Sequence, residues 1–138
     1  MEILILNGPN LNLLGTRELE IYGSQTMEDV VAQLRRQYAS LDIAYFQTNH
    51  EGDIIDKLHE VGFSYTGIIL NAGGYTHTSI SIRDAISAIT TPVIEVHISD
   101  LRKREKFRHH SYMKEVCVHQ IVGRGVAGYG EAVDFLLR

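Results

Sequence analysis

The connection from Asn7 to Gly23 carries Asn12, Arg17 and Tyr22, three side chains that could together form an acid-base site. A phenol titrates near pH ~10 in water, so tyrosine is a poor base at neutral pH. A guanidinium held beside it stabilises the phenolate and lowers that value, which is the service Arg17 can offer Tyr22. Compact domains rarely keep so long a connection after their first strand unless it covers or binds something. A second reactive group follows a later apolar run, where Glu95 and His97 alternate along Ile94-Glu95-Val96-His97 and Ile98-Ser99-Asp100 comes next. An imidazole is the side chain best suited to give and take a proton near neutral pH.

These groups need a scaffold, and strand-like and helix-like segments alternate along the chain. Glu2-Leu6, Leu41-Thr48, Gly67-Asn71 and Val93-His97 are apolar runs of strand length, and a weaker one lies at Val118-Val122. Between them, Thr26-Tyr38 places Val30, Val31, Leu34 and Tyr38 at helical spacing, with Thr26 as N-cap and Glu28 and Asp29 in the first turn. Asp53-Val61 aligns Ile54, Ile55, Leu58 and Val61, and Gly62 stops it. Ser79-Ile89 aligns Ile82, Ala85, Ile86 and Ile89 before Pro92, and a terminal helix is expected from about Gly130 to Leu137. Near-continuous apolar strands alternating with helices predict an α/β fold, a parallel sheet covered on both faces. No repeat or linker interrupts the pattern, so residues 1–138 are expected to form one domain.

Ligands of open α/β sheets sit beyond the carboxyl ends of the strands. Polar residues collect there after four strands, at Asn7 to Tyr22, Asn49-His50-Glu51, Asn71 to His77 and His97 to Asp100. The formal net charge of -4 argues against nucleic acid as a partner, and an anionic substrate would need a local positive site. The composition, 44% hydrophobic and 22% charged, is that of a folded globular protein. No apolar run approaches a membrane span, and Met1-Glu2 lacks a basic leader, so a cytoplasmic location is expected. Cys117, flanked by Val116 and Val118, reads as a small core residue.

Several of these segments resemble one family, the type II 3-dehydroquinate dehydratases. The resemblance runs through Gly8-Pro9-Asn10-Leu11-Asn12-Leu13-Leu14-Gly15, Arg17-Glu18 with Tyr22-Gly23, Gln47-Thr48-Asn49-His50-Glu51-Gly52, Asn71-Ala72-Gly73-Gly74-Tyr75-Thr76-His77-Thr78-Ser79 and Ile94-Glu95-Val96-His97-Ile98-Ser99. Arg104-Glu105-Lys106-Phe107-Arg108-His109, Ile121-Gly123 and Gly128-Tyr129 continue it. It implies a flavodoxin-like, doubly wound five-stranded parallel sheet and a homododecamer built as a tetramer of trimers. It also implies reversible dehydration of 3-dehydroquinate to 3-dehydroshikimate in the shikimate pathway, with neither metal nor organic cofactor. Tyr22 is then the base that forms an enolate, and Arg17 keeps it ionised. Asn12 helps hold a water at the enolate oxygen, and His97 protonates the leaving hydroxyl, with Glu95 able to orient the imidazole or support its charge if it turns toward it. Asn71, Ile98 and Ser99 match positions that hold the carboxylate and ring hydroxyls, and His77 and Arg108 match further substrate contacts. Asp84 matches a residue that enters from the neighbouring subunit. Leu19 and Ala72 replace prolines usual in the family, and Asp100 stands where asparagine is common and brings a negative charge near an anion's site.

Taken alone, each residue also has a plainer reading. An isolated loop tyrosine is usually a surface or packing residue, and Asp84 on a helix is by default solvated. The run from Arg102 to Arg108 reads by itself as an exposed basic face. His59, His109, His110 and His119 lack metal-ligand spacing. A nucleotide- or phosphate-binding domain is the alternative function, but only Gly123-Arg124-Gly125 with Gly128 hints at it, after a weak strand. A receiver-type signalling domain would want a carboxylate cluster at the strand ends, where this chain has asparagine, histidine and tyrosine.

Overall fold

The computed structural model describes residues 1–16, 18, 20 and 24–138. Five strands, β1 (Glu2–Asn7), β2 (Asp42–Gln47), β3 (Gly67–Asn71), β4 (Val93–His97) and β5 (His119–Val122), form one parallel sheet in the order β2-β1-β3-β4-β5. Helices α1 (Met27–Gln37), α2 (Glu51–Val61), α3 (Ile80–Ala88) and α4 (Ala127–Leu136) connect or follow them. This is the doubly wound, flavodoxin-like arrangement. No helix among the described residues is long and apolar enough to cross a membrane.

Strand alternation divides the apolar residues between two cores. Ile3, Ile5, Ile69, Ile94 and Val96 pack with Val30, Val31 and Leu34 of α1 and Tyr129, Ala132 and Val133 of α4. Leu4, Leu6, Ile68, Leu70 and Val93 pack with Ile54, Leu58 and Val61 of α2 and Ile82, Ala85 and Ile86 of α3. Because a strand's side chains alternate with period two, each central strand must be apolar at nearly every position.

Local chemistry sets most element ends. The Thr26 hydroxyl accepts the Asp29 N–H at 3.2 Å, and Asp29 returns the bond to the Thr26 N–H at 3.2 Å, a capping box that opens α1. Ser79 caps α3 by accepting the Ile82 N–H at 2.9 Å. Gly62 ends α2, though with right-handed backbone (φ -69°). What requires glycine there is contact, since a Cβ would lie 2.4 Å from both Ile89 Cγ2 and Leu58 O. Two helices start earlier than the sequence pattern predicts. α2 begins at Glu51 and α4 at Ala127, ahead of Asp53 and Gly130. In α4 the cause is packing, because Gly128 inside the helix lets it approach Ile121 and Val96, which would stand 3.3 Å from a Cβ. The basic segment, read as an exposed face, folds into two short 3₁₀ turns, Leu101–Lys103 and Lys106–Arg108.

The carboxyl ends of β1 and β3 are held unusually close. The Gly8 N–H donates to Asn71 O at 2.8 Å, and a Cβ on Gly8 would lie 2.6 Å from Ala72 O. Gly8→Ala is therefore expected to destabilise the chain by roughly 1–3 kcal/mol through overpacking. Urea unfolding checks this, and an unchanged midpoint would show that the two loops can part without cost.

Candidate active site

A cavity of about 150 Å³ opens at the carboxyl edge of the sheet. Pro9, Asn10 and Leu11 line it after β1, Asn71, Gly73, Gly74 and His77 after β3, and His97, Ile98 and Ser99 after β4. Leu101, Arg104 and Arg108 line it from the segment after β4. Pockets for drug-sized ligands run to about 300–1,000 Å³, so this one suits a compact polar molecule better than a nucleotide.

Asn71 is held by its neighbours. Asn7 and Asn71 are paired in the β1–β3 register, on the sheet face that α4 covers. The Tyr129 hydroxyl donates to Asn7 Oδ1 at 2.9 Å and accepts from Asn71 Nδ2 at 3.1 Å. The Gly73 N–H donates to Asn71 Oδ1 at 3.2 Å. The amide's oxygen and one N–H are thus engaged, leaving its second N–H for a ligand. Burial pushes the Tyr129 phenol well above the ordinary tyrosine range, so it stays a neutral donor.

His97 and Glu95 are 5% and 1% exposed and lie on one face of β4. His97 Nε2 meets Glu95 Oε2 in a short hydrogen bond. A carboxylate only accepts, so Nε2 carries the proton and Nδ1 is the ring atom left to react. His77 Nδ1 likewise donates to His110 O at 2.8 Å, leaving its Nε2 as an acceptor. Burial, assisted by the nearby His97 and Arg108, holds the His77 imidazole below the ordinary 6.5 against the pull of that carbonyl and of Glu95.

Positive charge arrives from the two 3₁₀ turns. Arg104 Nη1 donates to Ser99 Oγ at 3.1 Å, which frees the hydroxyl proton for a ligand. Glu105 braces Arg108 at 3.0 Å and lies 3.7 Å from Arg104. Arg104 is missing from the site residues read from the sequence. The signal that would have found it is its place four residues before Arg108 in the same basic run.

Asn12 is exposed and is not among the described residues that line this cavity, and Gln47 Nε2 lies 3.4 Å from its Oδ1. Asn10 lines the wall, and its left-handed backbone (φ 71°) opens the 3₁₀ turn Leu11–Leu13 that holds Asn12. The loop after β2 supports the site without lining it, as Asn49 Oδ1 accepts the Asn10 N–H at 3.1 Å and Glu51 accepts from the Ser79 hydroxyl. Gly123 and Gly125, the hint of a phosphate loop, brace the β4 loop: their N–H groups donate to His97 O at 3.1 Å and Ile98 O at 3.0 Å. Asp100 turns its carboxylate to the Arg102 N–H at 3.1 Å and does not line the cavity. Asp84 is exposed on α3, away from this cavity. Arg17, Tyr22 and Leu19 lie outside the described residues. Cys117 packs beside the α2–α3 core, where burial raises its thiol far above the usual range.

The profile of the family described as Dehydroquinase class II matches residues 1–137. The chain belongs to this family. It is 53% identical to the 3-dehydroquinate dehydratase of Exiguobacterium sp., covering 99% of this chain and 94% of that protein. It is 50% identical to the catabolic 3-dehydroquinase of Verticillium alfalfae, over 99% of this chain and 92% of that one. The crystal structure of the type II dehydroquinase from Butyrivibrio crossotus superposes with a TM-score of 0.96 at 46% identity, covering 100% of this chain and 98% of that one.

In this class II dehydroquinase, His77 makes a testable contribution to stability. Its folded value lies below the ordinary 6.5, so on acidification the unfolded chain takes up the proton first. The stability tied to neutral His77 is full above that ordinary value and is lost as pH falls through it toward the folded one. Unfolding free energies measured across this range should fall more steeply for the native chain than for His77→Gln. Parallel curves would show that the imidazole is not held neutral by the fold.

Proposed function

We propose that the cavity at the sheet's carboxyl edge carries out the dehydration of 3-dehydroquinate to 3-dehydroshikimate, with Tyr22 as base and His97 as acid. The observation that carries this reading is His97, set in the cavity wall with Nε2 bound to buried Glu95 and surrounded by donors suited to an anionic polyol. Arg104, Arg108, Ser99 and the free N–H of Asn71 supply those donors.

The reaction runs in two proton transfers. Tyr22, kept as phenolate by Arg17, removes a proton from the carbon next to the ketone, and the electron pair moves into an enolate. The enolate collapses and the C–O bond to the β-hydroxyl breaks. His97, entering the step protonated on both ring nitrogens, delivers its Nδ1 proton so that the hydroxyl leaves as water, and keeps its Nε2–H on Glu95. The enone forms with no change of oxidation state. An amide at the enolate oxygen stabilises the developing charge, directly or through a water. Asn10 is better placed than Asn12 for that role, because it lines the cavity. The Ile98-Ser99 segment and Arg108 take the carboxylate, and His77 accepts from a ring hydroxyl through Nε2. Residues 1–138 work as one catalytic domain in this scheme.

Adding 3-dehydroquinate should raise the absorbance of the conjugated enone. Tyr22→Phe should lower kcat by roughly 10²–10⁴-fold while ligand binding persists, since only the ionisable oxygen is lost. Activity near the native level in that variant would assign the base elsewhere.

The assembly is a homododecamer built from trimers, in which Asp84 completes the site of the adjacent subunit. Its exposure on α3 supports this reading. Asp84→Ala and Tyr22→Phe then damage different parts of a site shared by two chains. Refolded together, they should recover activity above the sum of the separate variants. Mixed oligomers, seen by native mass spectrometry, that regain none would return Asp84 to the role of a surface carboxylate.

A further inference from the structure

We infer that Ser111 and Gln120 are positioning residues for the reaction's acid, acting on His97 through Glu95. This rests on the reading of His97 as that acid. The two oxygens of Glu95 are divided among three donors. Oε2 accepts the Ser111 hydroxyl at 2.5 Å and faces His97 Nε2, while Oε1 accepts from Gln120 Nε2 at 3.2 Å. Ser111 Oγ in turn accepts the Met113 N–H at 3.1 Å, which directs its own proton toward the carboxylate. Gln120 stands beside Glu95 in the β4–β5 register.

A carboxylate held this way cannot rotate without breaking bonds on both oxygens. Ser111 and Gln120 therefore pin Oε2 against His97 and keep its Nε2–H there, so that the proton His97 gives the leaving hydroxyl is the one on Nδ1. Neither residue lines the substrate cavity. Both line a separate one of about 400 Å³, with Leu101, Arg102, His109, Lys114 and Val122, so Glu95 stands between the two.

A plain structural role predicts something different. If the hydroxyl and amide only satisfy a buried charge, removing them lowers stability and leaves the turnover of folded enzyme unchanged. A positioning role lowers kcat and spares KM, because neither group touches substrate.

The test compares Ser111→Ala, Gln120→Leu, Ser111→Thr and His97→Ala in the full-length oligomer, at a temperature where each is folded. Ser111→Ala and Gln120→Leu should each lower kcat on the order of tenfold, as removal of outer partners does at other oriented histidines. KM should stay within about twofold of native. Ser111→Thr should restore most of kcat, since the adjoining cavity has room for its methyl group. The far-downfield proton resonance of His97 Nε2–H should move or broaden in Ser111→Ala and return in Ser111→Thr. Native kcat in folded Ser111→Ala and Gln120→Leu, beside an inactive His97→Ala, would overturn the positioning role and leave the acid assignment standing. A fully active His97→Ala would overturn both. Should Ser111→Ala fail to fold, Gln120→Leu, on a half-buried edge position, decides by the same criteria.

Discussion

A carboxylate taken out of water costs several kcal/mol unless donors and an opposite charge replace its hydration, and Glu95 is almost fully buried. The surroundings of β4 answer that demand. β5 must pair alongside to present Gln120, and the chain from Leu101 to Val118 must fold back so that Ser111 reaches the same carboxylate. His97 completes the set, so the interaction that relieves the buried charge is also the one that orients the imidazole in the cavity wall. Stability and chemistry draw here on the same few hydrogen bonds.

The remainder of the site follows from parallel strands whose carboxyl ends share one edge. β1 and β3 are drawn together by the Gly8–Asn71 backbone bond, and Tyr129 ties the asparagines that end them. The β4 loop is fixed from beyond by the N–H groups of Gly123 and Gly125. Backbone and buried side chains thus set the walls, and the two 3₁₀ turns bring Arg104 and Arg108 to a cavity in an otherwise acidic chain. A concave, partly desolvated wall makes those charges felt by an anion more strongly than an open surface would.

Much of this was legible from local rules. Apolar runs of strand length marked β1 to β5 and helical apolar spacing marked α1 to α3, because burial on both sheet faces leaves little freedom in side-chain type. The Thr26 cap, with Asp29 following, was readable for the same reason: a helix end needs a donor or acceptor within a turn. Glycine was the weaker guide. Gly62 was expected as a stop but serves by close contact with Ile89, and Gly128, two residues before the expected start of the last helix, lies inside it and lets α4 approach Ile121 and Val96. A missing Cβ reports crowding from residues far away in sequence, which no local pattern shows.

The sequence by itself determined the order of elements, the sheet edge where polar residues gather, and the family, through motifs spread along the whole chain. It also set Glu95 two residues before His97, at alternate positions that share a strand face, while the bond between them is a finding of the structure. Only the tertiary structure decided which asparagine of the 3₁₀ turn after β1 lines the cavity, with Asn10 in left-handed backbone at the start of that turn. It likewise decided that Arg104 belongs to the wall, that the late glycines brace β4, and that Ser111 and Gln120 hold Glu95. Periodicity is a property of neighbouring residues, whereas a cavity is assembled from loops whose separation along the chain carries no trace of their separation in space.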